Sequence, residues 1–587
     1  MKCKKIISLL LVFTMVLSLS TVAFASEEKS EYVPAYDTET PVVIVHGMSQ
    51  NDTYLLDENG ERVPDENGYV TGWPLEIDVM ALVKAALPKL LISIFTGKDA
   101  GLTEAMKKGA YEALYVLHKD NEGNYLADIE VPCPEKPMSE LPQDLKDLYY
   151  YNIPVQQLGD IIGEENMYYF GYDSFGNVKD ETEKLHHYIH NVVLPQTGAS
   201  KISLCPISLG GTIATNYLEM YPEDYKLIKK MVFIAPALDG SDIIGDILTG
   251  NLSVFYDDNM LYEELLVTLL GDTYLAYLLN VVLRILPTDV LKSALAGLVE
   301  GVINSGIRTT TIMWALCPTD YYEEAKAKWL NGDEYKVIRE EIDDYMNARA
   351  NLEENLFALM ETGVPVYNIV SYNRELFPLC KDYKTTNADG IVHAASTSMG
   401  ATFAPLGETL GSGYRAQGTY CNNPEHNHIS PDGVVDPTTG LLPCTTWYFK
   451  GQPHELLGCN DVVLELAIQI ITDDNMVDVY SNPDVFPQFN ETRLTNMTNT
   501  YIAEWEQADK SGIDSEKIKA VDDAILTIKT LEEETIIDPE KWNIAVESLE
   551  NALIDAGIIE DTEPGAIEKV LTFITKGINK LVNAICA

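Results

Sequence analysis

Positive charge is scarce in this 587-residue chain: 41 Lys and Arg stand against 90 Asp and Glu, a formal net charge of −49. Nucleic-acid binding draws most of its affinity from Lys and Arg neutralising phosphates, so that class of partner is excluded. Docking on an anionic membrane face through basic patches is excluded on the same ground. Long apolar runs are also missing: beyond the N-terminus no stretch reaches the ~18 consecutive apolar residues of a membrane span. What the chain does have is 46% hydrophobic against 22% charged residues, the balance of a globular protein with ample core. Its length exceeds one ordinary domain, which predicts one large domain with an appendage.

The N-terminus has the three parts of a secretory signal. Met1 to Lys5 is basic, Ile6 to Phe24 carries no charge, and Ala23-Phe24-Ala25 fits a small-residue cleavage site. The expectation is a signal peptide over 1–25 and a protein secreted to the cell exterior, in solution or held at the surface. Loss of Lys2, Lys4 and Lys5 with the signal would make the chain still more acidic.

Six short apolar runs end abruptly in Gly, Asp, Asn or Pro: Pro41–Val45, Met167–Phe170, Lys201–Cys205, Met231–Ile234, Val364–Val370 and Thr445–Phe449. Continuous apolar runs of this kind, alternating with helical patterns, predict an α/β fold with a mostly parallel sheet covered by helices on both faces. Residues 180–194 show one such helix, with Leu185, Tyr188, Ile189 and Val192 on one stripe. Two long inserts interrupt the alternation. The first, about 52–160, holds two Asp-Glu-Asn-Gly turns followed by helices. The second, about 243–360, is helical and Leu-rich, and reads as a lid or cap. The sheet domain is expected over 26–475, a helical bundle over 490–560, and an amphipathic C-terminal helix over 565–587, interrupted by Lys569, Lys576 and Lys580.

Ser208 lies between an apolar strand and a helical run beginning at Gly210, in the sequence Pro206-Ile-Ser-Leu-Gly-Gly211. A serine on a sharp strand-to-helix turn, with small residues two before and two after it, is a nucleophile elbow. Pro206 departs from the usual glycine and lacks an N–H, which a central strand tolerates poorly. His46-Gly47-Met48 follows the first strand, so the backbone N–H groups of Met48 and Leu209 are candidate oxyanion donors. On such a sheet the triad runs in the order Ser, acid, His. Asp389, in Asn387-Ala-Asp-Gly-Ile-Val392, is the candidate acid, with Asp382 and Glu375 in reserve. His454, on the loop after Thr445–Phe449, is the candidate base.

These segments, with Val232–Pro236 and Asp239-Gly-Ser241, together resemble the α/β-hydrolase family, especially its secreted bacterial lipases and esterases, over roughly residues 36–475. The resemblance implies that Ser208 is the nucleophile, Asp389 the acid, His454 the base, and Met48 and Leu209 the oxyanion donors. It also implies acyl transfer from a small-molecule or lipid-like ester through a covalent intermediate. Pro206 puts activity in doubt and favours a second reading, a catalytically silent surface-binding protein. An acyltransferase would use the same triad.

Cys421-Asn-Asn-Pro-Glu-His426-Asn-His428, with Cys444 downstream, is open to three readings: a Cys421–Cys444 disulfide, free thiols, or a metal cluster. The spacing matches no standard zinc site, and no metal or other cofactor is expected. Cys205 and Cys317 lie in apolar segments and read as buried thiols.

Overall fold

Alternation of side chains along an extended run places successive residues on opposite faces, so an uncharged run can be buried on both. In the computed structural model all six runs form strands of this kind. The structure describes residues 32–558, apart from 66–67, 75–78, 258, 266–279, 282, 419, 422, 424–425, 427, 455–456, 458–459, 492–500, 503–504, 506–507, 509 and 533–538. The signal expected over 1–25 and the helix expected over 565–587 lie outside the described residues.

The central sheet has seven strands: β1 (Val42–Val45), β2 (Met167–Phe170), β3 (Ile202–Pro206), β4 (Ile228–Ile234), β5 (Val366–Tyr372), β6 (Thr446–Lys450) and β7 (Phe489–Glu491). Their order is β7-β6-β5-β4-β3-β1-β2, and every pairing is parallel. Val43, Val45 and Leu204 join one apolar core, while Val42, Ile44 and Cys205 join the other. The first face is covered by α2 (Val178–Tyr188) and α3 (Gly210–Met220), the second by α7 (Asp461–Thr472). Asn177 accepts from the Lys179 and Asp180 N–H groups to start α2, and Asn460 does the same for Val462 and Val463 at α7.

The strand order reverses at β1. The chain leaves β1 toward the β2 edge, returns to β3 on the other side, and then steps outward to β7. Loops from the C-terminal ends of β1 and β3 therefore diverge, leaving a crevice between them, which is where α/β sheets place their sites.

Two expectations about the organisation are corrected. The sheet does not end at 475, because β7 pairs with β6 and runs into the start of the region read as a helical bundle (Phe449 opposite Asn490, Lys450 opposite Glu491). Nor is the 243–360 insert wholly a cap. Its described residues are helical, but α5 (Lys336–Ala350) and α6 (Leu352–Glu361) pack on α3 and so belong to the layer covering the sheet. Earlier in the insert, α4 (Thr288–Ser305) packs along α1 (Leu102–Ala113) of the first insert. After the sheet, α8 (Ser515–Glu532) and α9 (Pro539–Ala556) share a small core of Val521, Ile528, Leu549 and Leu553 with Trp505.

The α1–α4 contact depends on Gly297 and Gly301, where a Cβ would run into the Thr103 and Lys107 carbonyl oxygens. Backbone cannot yield as a side chain does, so Gly301→Val should destabilise the chain by about 1–3 kcal/mol, the usual cost of overpacking. Chemical denaturation checks this, with Gly557→Val, whose added Cβ would meet nothing within 4 Å but needs a positive φ, as the comparison for purely conformational strain.

Candidate active site

The turn after β3 is sharp. Ser208 has φ +49, a left-handed conformation uncommon for a non-glycine residue. Its N–H donates to the Ile234 carbonyl and its own carbonyl accepts from Ala237 and Gly211, so the turn is tied to the end of β4. Close approach makes this possible: a Cβ on Gly210 would collide with the Val45 carbonyl, and one on Gly211 would lie 2.8 Å from Pro236 Cβ. Pro206 ends β3. The flanking Ser203 and Ile207 amides donate toward β1, to Pro41 and Val45, so the N–H that Pro206 lacks belongs to the β4 side at the strand's last residue. One ladder bond is lost there and the turn still forms.

Ser208 Oγ lies 2.8 Å from His454 Nε2, and His454 Nδ1 lies 2.7 Å from Asp389 Oδ2. Asp389 is fully buried and Ser208 is 8% exposed. The other carboxylate oxygen of Asp389 accepts from the Ile391 and Val392 N–H groups, leaving Oδ2 for the imidazole. The three residues that the motif reading selected therefore meet in one hydrogen-bonded chain. The reserve acids do not enter it: the Asp382 carbonyl caps a turn through the Thr385 and Thr386 N–H groups, and the acid beside His454 is Asp389.

The loops that carry these groups are pinned by contacts that the sequence reading did not include. The His454 N–H donates to the Asp389 carbonyl (2.9 Å), joining the two loops directly. Ser371, on β5, donates to the Phe449 and Gln452 carbonyls, and Arg374 donates to Gly451. Asn387 accepts from the Asn373 N–H and donates to the Ala404 carbonyl, fixing the start of the acid loop.

The loop after β1 lies against the serine, since a Cβ on Gly47 would sit 3.0 Å from Ser208 Cβ. The Gly47 N–H donates to Gln50 Oε1 (2.6 Å), and Gln50 in turn donates to the Asn152 carbonyl (3.0 Å). Among the described residues nothing accepts from the Met48 or Leu209 N–H, the two candidate oxyanion donors. His46 is fully buried, stacked on Tyr172 with ring centroids 4.0 Å apart, and Tyr172 donates back to the His46 carbonyl. Gln50 and Tyr172 act by shape and by side-chain bonds to backbone, which no spacing rule in the sequence signals.

Outside this site, two clusters of potential metal ligands occur among the described residues. In one, His186 and His190 bond directly to Asp224 (2.8 and 2.9 Å), which also accepts from Tyr217, so the groups satisfy each other. The other gathers Cys421, His426, His428 and Cys444. Cys421 and Cys444 are free in the structure, with sulfurs 3.7 Å apart, farther than a bonded pair. Cys205 and Cys317 are free and buried.

No family model and no curated protein matches this chain. Among solved structures, the crystal structure of the Tle4–Tli4 complex is similar over 73% of this chain and 97% of that chain, at 12% identity and a TM-score of 0.33. No helix of the described residues is long and apolar enough to cross a membrane.

Burial lowers the His46 pKa from 6.5 to about 4, because desolvation outweighs its backbone hydrogen bonds. The unfolded chain then takes up the extra proton between those two values, so this residue stabilises the fold fully above pH 6.5. Its contribution, about 3 kcal/mol, falls as the pH drops from 6.5 to about 4 and changes no further below that. In histidine-labelled protein the His46 ring should stay neutral at pH 5. A ring titrating near 6.5 would contradict the burial argument.

Proposed function

We propose that this chain is an exported serine hydrolase of the α/β-hydrolase type that cleaves carboxylic esters through an acyl-enzyme. The observation that supports this most is the chain of two short hydrogen bonds from Ser208 through His454 to Asp389, assembled from three distant loops at the C-terminal edge of a parallel sheet. An ordinary helix-capping serine needs no imidazole, and an ordinary loop histidine needs no buried carboxylate behind it.

The geometry supports a two-step acyl transfer. Ser208 Oγ bonds to the ester carbonyl carbon as His454 Nε2 takes its proton. Asp389 accepts from Nδ1–H, holding the ring in the tautomer with a free Nε2 and stabilising the imidazolium that forms. The carbonyl oxygen gains negative charge and is received by the Met48 and Leu209 N–H groups, an arrangement in which one donor is worth ~10²–10³ in rate. Collapse breaks the bond to the alcohol, which leaves with the proton from Nε2. Water then repeats the sequence and releases the acid. A strongly acidic exterior repels anionic lipid interfaces, so neutral esters, short or lipid-like, are the preferred substrate class.

A fluorophosphonate probe should label the folded wild type and leave Ser208→Ala unlabelled. Absence of labelling in a correctly folded wild type would favour the silent binding protein instead. On p-nitrophenyl esters from acetate to palmitate, His454→Ala should lower kcat by about 10²–10⁴, the range of general acid–base catalysis. Full activity in that variant would overturn the assignment of the base. A competing alcohol as acceptor separates hydrolysis from acyl transfer by product analysis.

A further inference from the structure

The cysteine–histidine cluster lies on the insert between β5 and β6 and plays no part in the chemistry above. We propose that Cys421, His426, His428 and Cys444 form a closed Cys₂His₂ site for one Zn²⁺ ion, which fastens this insert to the last two strands of the sheet.

The distances support a tetrahedron around a shared centre. Cys444 Sγ lies 3.7 Å from Cys421 Sγ, 3.7 Å from His426 Nδ1 and 3.6 Å from His428 Nε2, and Cys421 Sγ lies 3.6 Å from His426 Nδ1. With Zn–S of about 2.3 Å and Zn–N of about 2.0–2.1 Å, a tetrahedral site has edges of about 3.8 Å between sulfurs and about 3.6 Å between sulfur and nitrogen. All four ligand atoms lie within 4.8 Å of one another. A disulfide would need the sulfurs about 2.05 Å apart. The His186–His190–Asp224 cluster is different in kind, because its members already bond to each other directly.

The tautomer of His428 is set by a neighbour outside the cluster. Gln488 Nε2 donates to the Pro443 and Thr446 carbonyls, so its Oε1 is the atom that faces His428 Nδ1, at 2.9 Å. His428 must therefore donate from Nδ1, which leaves the Nε2 lone pair directed at the cluster. Outer hydrogen bonds of this type orient zinc-binding histidines in general. His426 presents Nδ1 to both sulfurs, and its ring is stacked on Tyr480 with centroids 4.2 Å apart. Its Nε2 lies 3.0 Å from Asn423 Nδ2; an amide placed the other way round would present its oxygen to a ring N–H there.

Two thiolates and two imidazoles suit Zn²⁺ over the hard cations Mg²⁺ and Ca²⁺. Four protein ligands leave no open position, which marks a structural site and not a catalytic one. Binding forms two Zn–S and two Zn–N bonds and breaks two S–H bonds, whose protons go to solvent; the two thiolates then balance the charge of the ion. The placement fits a fastening role. Cys444 precedes β6 at the end opposite His454, and Gln488 precedes β7, so the ion ties Cys421, His426 and His428 to the start of both strands.

The test uses the full chain, purified under reductant, freed of metal with a chelator and titrated with Co²⁺. One equivalent should bind, giving the intense visible bands of tetrahedral cobalt and the ultraviolet sulfur-to-cobalt charge transfer, and Zn²⁺ should displace it. Elemental analysis of the untreated protein should find one zinc per chain. Cys421→Ser should lose about half the charge-transfer intensity, and Gln488→Leu should weaken affinity about 10–100-fold, as other outer-ligand changes do. Weak cobalt bands without charge transfer in the wild type would overturn the proposal. So would a Cys421–Cys444 disulfide recovered by mass spectrometry from protein that holds no zinc. The wild-type spectrum decides the matter even where a variant does not fold, and none of these readouts depends on the esterase reading.

Discussion

The site depends on how closely the start of α3 approaches the end of β1. Ser208 leaves the sheet in a left-handed turn that costs a non-glycine residue of the order of 1–3 kcal/mol, so its surroundings must hold it there. They do so by contact on three sides. Gly210 lies against the Val45 carbonyl, Gly211 against Pro236, and Gly47 against the serine Cβ itself. A side chain at Gly210 or Gly211 would push the helix off the sheet and move the serine hydroxyl away from His454. The same approach brings the Gly47–Met48 loop beside Ser208, so the serine and this loop are placed by one packing constraint. Pro206 is compatible with it because the constraint concerns volume, while the proline costs only one bond of the ladder at the strand's end.

The strands were legible in the sequence because burial on both faces demands uninterrupted apolar character, and Val42–Val45 or Val366–Tyr372 can hardly be read otherwise. β7 was not legible. Phe489-Asn490-Glu491 is short and two-thirds polar, as an edge strand can be, and its place in the sheet comes from pairing with Tyr448–Lys450, the Phe489 and Tyr448 rings lying 5.5 Å apart. That Ser208, Asp389 and His454 come together was legible from local motifs and chain order. The groups that hold them were not, because Gln50, Ser371 and Asn387 act through single side-chain bonds to backbone far along the chain. The cysteine–histidine cluster falls between these cases. Cys421, His426 and His428 form a visible local run, but the set is completed by Cys444 and oriented by Gln488, and neither follows from a spacing rule.

The acidic surplus can be placed in the same terms. The strands that build the site are almost uncharged, and where charge enters the sheet it is answered: Lys230 on β4 is buried and donates to the Ile470 and Asp473 carbonyls. Charge elsewhere lies mainly on inserts and helices, where water screens it and where it favours solubility. The net charge thus says little about the chemistry and more about which interfaces the protein avoids.

A long insert separates Asp389 from His454 in the chain, a separation that works against a fixed geometry between them. The geometry is fixed all the same, because the two loops are bonded to each other directly, His454 N–H to Asp389 carbonyl, and to the same end of β5 through Ser371 and Arg374. Once the ends are pinned, the entropy of closing the intervening loop grows only with the logarithm of its length. The insert is then free to carry other features without moving Ser208, Asp389 and His454. A fastening point among Cys421, His426, His428 and Cys444 lies at the far end of β6 from His454, so it orders the insert from the opposite side of the sheet while the acid and base remain set by bonds of their own.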